Sequence, residues 1–199
     1  RGRRSLASEP QRLLGLVLEG RYRLQRYLSR TPRAGQPLVK LTYQATLLAD
    51  GPEETKARAA GRLQGDQVIV AVCGRGDAVQ PLEPAQHARL QRLAAERQLP
   101  AVPASLLPVL HCGQLPARSE PDPDGGGATF IVTPRVGETL QTYAERAPLS
   151  LADRLELGRA LCRTLAAVVQ HEPGFVHGDL KPYRVGLWPP PPTGSLTLP

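Results

Sequence analysis

The spacing of apolar and polar residues changes period several times along the chain, and each change predicts an element. Residues 18–48 have strand composition (Tyr22, Leu38, Thr42, Tyr43, Thr46), which predicts strands over 22–28 and 38–48. Pro32, Gly35 and Pro37 predict a turn over 29–37 between them. Residues 50–65 are polar and read as an excursion, whereas the β-branched run 67–73 predicts a strand buried on both faces or nearly so. From Pro84 to Gln98, Ala85, Ala88, Leu90, Leu93 and Ala94 recur mostly at three- and four-residue steps, predicting a helix that Pro100 stops. Residues 106–112 and 129–136 read as strands, separated by a Pro-, Asp- and Gly-rich surface loop over 117–128.

A short helix is expected over 139–146 and a long one over 151–171. Ser150 is a suitable N-cap for the long helix, with Asp153 three residues on to complete a box. Leu151, Leu155, Leu161, Leu165, Val168 and Val169 form its apolar stripe. A loop over 172–183, a short strand over 185–188 and a last strand over 195–198 follow. Strands with one helix, then helices, then a loop between short strands describe an α+β chain of two lobes.

Composition narrows the function. With 199 residues and 41% hydrophobic content, the chain has material for a packed core. Its apolar runs are too short to cross a bilayer, and the Arg-rich start lacks the apolar stretch of a secretory signal. Residue 1 is Arg and Met is absent, which reads as an internal or trimmed piece of a longer protein. The net charge of +7 comes from 25 basic residues, of which only Lys40, Lys56 and Lys181 are lysines. The arginines are scattered rather than gathered on a reading element, which argues against nucleic acid as the partner. Cys73, Cys112 and Cys162 have neither metal-ligand spacing nor the even number of a disulfide framework, and fit a reducing, cytoplasmic compartment. His111 beside Cys112 has no second ligand pair to close a metal site.

One motif carries chemistry. Val176-His177-Gly178-Asp179-Leu180-Lys181-Pro182-Tyr183-Arg184 follows the long helix and precedes a short strand. It resembles the catalytic loop of Hanks-type (eukaryotic-like) Ser/Thr protein kinases in a bacterial-looking form. Other stretches agree: Arg21–Leu24 with the first kinase strand, Thr42–Ala45 with the second, Val70–Val72 with the third, and Phe130–Thr133 with the fifth. The resemblance implies a leader over 1–17, a β-rich small lobe with one helix and hinge over 18–136, and an incomplete helical large lobe over 137–199. It makes Asp179 the base for the substrate hydroxyl and Lys181 the balance for phosphate charge. Gly35, Thr133 and Val136 fall on nucleotide-binding positions, with ATP the implied cofactor.

The chain also departs from the pattern. Only Gly35 remains of the glycine-rich loop, and the third strand ends in Cys73 where a phosphate-binding lysine belongs. With-no-lysine kinases also carry Cys there and supply the lysine from the second strand, three residues before the Tyr. Lys40 stands three residues before Tyr43, and the alternative for it is a solvent-facing strand lysine. Glu83 and Glu96 flank the helix over 84–98 without falling on its centre, so neither is assigned to a lysine. Arg184 occupies the position of the metal-holding Asn, where a cation would repel Mg²⁺, and no Asp-Phe-Gly follows. The expected function is a catalytically impaired, pseudokinase or regulatory module engaging a protein partner. The alternative is a fragment of an active ATP-dependent kinase using Asp179 and Lys40. In either case the large-lobe helix over 151–171 is expected to leave apolar surface exposed.

Overall fold

The computed structural model describes residues 10–32, 38–75, 82–96, 107–115, 128–171, 180–182 and 185–187. They form a mixed fold of four α-helices and a six-stranded antiparallel sheet, dividing after Arg135 into two compact units.

In the first unit the strands are β1 (Val17–Leu18), β2 (Tyr22–Pro32), β3 (Leu38–Leu47), β4 (Gln67–Arg75), β5 (His111–Gln114) and β6 (Thr129–Pro134), in the order β1-β2-β3-β4-β6-β5. Alternation decides which face is inside. Val39, Leu41, Tyr43 and Ala45 of β3 pair with Gly74, Val72, Val70 and Val68 of β4, all on the buried face. Phe130 and Val132 of β6 continue it. Across from them Lys40 is exposed, whereas Ile69, Ala71 and Cys73 are half-buried. The expectation that β4 is buried on both faces or nearly so is met, with one face fully buried and the other half-buried.

The other differences have local causes. β2 runs on to Pro32 instead of turning at Ser29, because two register shifts, at Leu24/Arg26 and Tyr27/Ser29, let it keep pairing with β3. β5 starts at His111 rather than near 106. Pro108 has no N–H to give a ladder, and regular pairing begins where Leu110 N–H donates to Val132 O at 2.9 Å. The polar excursion contains a helix, α1 (Pro52–Ala59), opened by Pro52 with Glu53 and Glu54 in its first turn. Helix α2 (Pro84–Glu96) falls where the periodicity predicts it.

The sheet curls so that its ends meet. His111 of β5 stacks on Tyr22 of β2 with ring centroids 5.8 Å apart, and its Nε2 lies 2.7 Å from Glu19 Oε2 in the β1–β2 turn. Gly113 is required there, since a β-carbon would collide with the Glu19 carboxylate and the Phe130 ring.

The second unit holds β7 (Glu138–Thr139) paired antiparallel with β8 (Gly186–Leu187), and helices α3 (Leu140–Arg146) and α4 (Leu151–His171). Among the described residues its buried cluster has Tyr143 and Leu187 at the centre and Ala147 and Leu149 against them. The α4 cap forms as the sequence predicts. Asp153 N–H donates to Ser150 Oγ at 3.1 Å, and Ser150 N–H donates to Asp153 Oδ2 at 3.0 Å. The apolar stripe divides differently. Leu157 and Val168 are buried, while Leu151, Leu155 and Val169 are 73%, 66% and 46% exposed. No helix among the described residues is long and apolar enough to cross a membrane.

Candidate functional site

Antiparallel register places directly opposed residues on the same face, with Cα atoms about 5 Å apart. On the outer face of the first unit's sheet this builds a row across five strands. Thr31 opposes Lys40, Lys40 opposes Cys73, Cys73 opposes Thr129, and Thr129 opposes Gln114. The two residues that the sequence singles out on separate strands, Lys40 and Cys73, are thus immediate cross-strand neighbours. Lys40 is exposed and Cys73 half-buried. Strands β2 to β6 contain no Asp or Glu, and Arg23, Arg26 and Lys40 lie on this face.

Thr129 and His87 were not legible as site residues. Thr129, between Cys73 and Gln114 in the row, is fully buried, and its hydroxyl lies 2.8 Å from His87 Nδ1 on α2. Helix α2 thus brings an imidazole to Thr129, the residue that opposes Cys73. The β-type residue at 129 gave no hint, because its partner lies 42 residues away. Cys112, opposite Ile131 on the same face, has its thiol pushed up to about 11, first by burial and then by the neighbouring Cys73 and Glu19.

The remaining expected residues are dispersed. Thr133 is half-buried opposite Ile69, four residues along β6 from Thr129, or roughly 13 Å by strand rise. Val136 belongs to the second unit, half-buried with its side chain over Gly186, where a β-carbon would sit 2.7 Å from Val136 Cγ1. Lys181 is exposed. Gly35, Asp179 and Arg184 lie outside the described residues, as do the expected strand over 195–198 and most of the catalytic-type loop.

Comparison with known proteins finds no matching family model and no similar curated protein.

Proposed function

We propose that the chain is a protein-kinase-like module that binds ATP through Lys40, has lost efficient phosphotransfer, and acts by regulating a protein partner. The observation that carries this reading is the register of β3 against β4, which sets Lys40 directly opposite Cys73. Where a kinase-like third strand lacks its lysine, a substitute must deliver an ammonium to the same volume. A flexible four-carbon stem starting about 5 Å away across a strand pair can do so.

Further support comes from the order of the pieces. The segments that resemble the first, second, third and fifth kinase strands lie in β2, β3, β4 and β6, consecutive neighbours in one sheet, and a helix follows the third. The capped helix α4 precedes the His177-Gly178-Asp179 segment in sequence, and β8 follows it. Phosphoryl transfer rests on positioning and charge neutralisation, so losing the glycines and gaining Arg184 at the metal-holding position impairs it together. Nucleotide binding asks less, needing a cation and a shaped surface.

Thermal unfolding with ATP, with and without Mg²⁺, tests the reading. At about a hundred times its dissociation constant ATP should add roughly 2.7 kcal/mol. That gain should vanish in Lys40→Ala and return in Lys40→Ala/Cys73→Lys, which moves the ammonium one strand over. A gain that persists in Lys40→Ala, or no gain in the unaltered chain, would overturn it.

A further inference from the structure

The register that sets Lys40 opposite Cys73 also places a hydroxyl on its other side. Thr31, near the end of β2, directly opposes Lys40, so their β-carbons stand about 5 Å apart on one face. Both residues are exposed. Pro32 follows Thr31, and the residue before a proline is held in extended backbone. On the other edge of β2, β1 pairs at Tyr22 and Arg23, so among the described residues no strand covers that edge over 25–32. Thr31 also lies beyond both register shifts, one rung from the strand end, so lifting it off β3 breaks few hydrogen bonds. An exposed hydroxyl on an extended, open-edged segment suits an enzyme that takes its peptide as a strand.

The other aliphatic hydroxyls of β2 and β3 each lack a condition. Ser29 is exposed but opposes Thr42, an uncharged and half-buried residue. Thr46 opposes Arg23, yet it is half-buried, accepts from Gln67 Nε2 at 3.3 Å and precedes Leu47. Thr31 is exposed, faces a cation and precedes a proline.

A phosphate on Thr31 would carry about −1.5 to −2 charges and three acceptor oxygens. Lys40 can meet it with an ammonium on a flexible stem, and β2 to β6 contribute no Asp or Glu to oppose it. We propose that Thr31 is a phosphorylation site for a proline-directed protein kinase, and that its phosphate holds the Lys40 ammonium away from ATP. In the transfer, Thr31 Oγ1 attacks the γ-phosphorus of the ATP bound to that kinase. The Oγ1–P bond forms as the bond from phosphorus to the β,γ-bridging oxygen breaks, ADP leaves, and the hydroxyl proton passes to the kinase's carboxylate base. The competition with ATP rests on the reading of Lys40 given above, whereas the site and its ion pair do not.

The test treats the whole chain with a proline-directed kinase and ATP and locates the phosphate by mass spectrometry. Incorporation should be lost in Thr31→Ala and kept in Ser29→Ala. Phosphorus NMR then follows the second ionisation of the phosphate, ordinarily at about 6. An adjacent ammonium favours the dianion, so the titration should lie at least about half a unit below that of phosphorylated Lys40→Ala, and the gap should narrow at about 1 M salt. ATP should raise the melting temperature of the unmodified chain and leave that of the phosphorylated chain unchanged. No incorporation, incorporation that survives Thr31→Ala, a titration unmoved by Lys40→Ala, or an equal ATP-induced rise in both forms would each overturn the proposal. If ATP raises neither form while the titration still answers to Lys40→Ala, the ATP reading falls and the phosphorylation site with its ion pair stands.

Discussion

A single carboxylate shows how far individual side chains decide this structure. Glu54 is fully buried, yet it accepts from the Arg21 guanidinium, the Tyr22 hydroxyl and the Gly51 N–H. It joins α1 to the start of β2, and Gly51 must lack a β-carbon because the Arg21 guanidinium fills that space. Glu54→Ala would leave a half-buried guanidinium without its counter-charge. It should destabilise the chain by about 3 kcal/mol in urea unfolding, several times the effect of Glu53→Ala on the same helix. Titration gives a second prediction. Burial first, and for Tyr22 the Glu54 carboxylate next, raise the phenols of Tyr22 and Tyr43 above their ordinary value of 10.0, and Cys112 rises from 9.0 to about 11. Groups neutral when protonated and raised by folding contribute stability that is complete below their unfolded values and lost as pH rises through the folded ones. The melting temperature should therefore hold between pH 7 and 9 and fall above it. In Cys112→Ala the fall between 9 and about 11 should be shallower. A thiol reagent at pH 8 should modify exposed Cys162 well before Cys112.

At the scale of elements, legibility followed the kind of residue being buried. The strands β3, β4 and β6 bury apolar side chains, so their composition survives in the sequence. Helices α2 and α4 are legible from Pro84 and the Ser150 cap more than from stripes in which Ala85, Ala88, Leu151 and Leu155 are exposed. Helix α1 was missed because its buried residues are Glu54 and Ala57, and a polarity pattern cannot distinguish a buried carboxylate from a solvated one. The end of β2 was missed because its exposed Ser29, Arg30 and Thr31 have the composition of a turn, and only pairing with β3 makes them a strand. The α4 cap was legible because it is local, its donors and acceptors lying three residues apart. Ser150→Ala should cost about 1 kcal/mol, and Ser150→Asp should recover most of it, as read by thermal unfolding.

Across the whole molecule, the two units differ in what holds them. The first buries a continuous cluster from Leu13 to Val132 that includes Tyr22, Tyr43 and Phe130, whereas the second centres on Tyr143 and Leu187. Hydrophobic burial dominates stability, and among the described residues the first unit buries more, so the second unit should unfold at lower urea concentration. Trp188, the sole tryptophan, belongs to the second unit's sequence, so its fluorescence should change before the far-ultraviolet signal of the sheet. Coincident transitions would show that the two units unfold as one.

The sequence by itself determined the places of strands β3 and β4, the extents of helices α2 and α4, and the Ser150–Asp153 cap. Each depends on residues within a few positions of one another, and short-range stereochemistry fixes them wherever the segment lies. It also supplied the chemical oddities, Cys73 without a lysine and Lys40 three residues before Tyr43, as isolated facts. Tertiary structure alone decided that Lys40 and Cys73 stand side by side, that His87 reaches Thr129, and that Glu54 is buried under Arg21 and Tyr22. Those pairings join residues 32 to 42 positions apart through strand register and helix placement. A one-residue slip in register would have turned Lys40 to the core face, and only the burial of Leu41, Tyr43, Val70 and Val72 together excludes it.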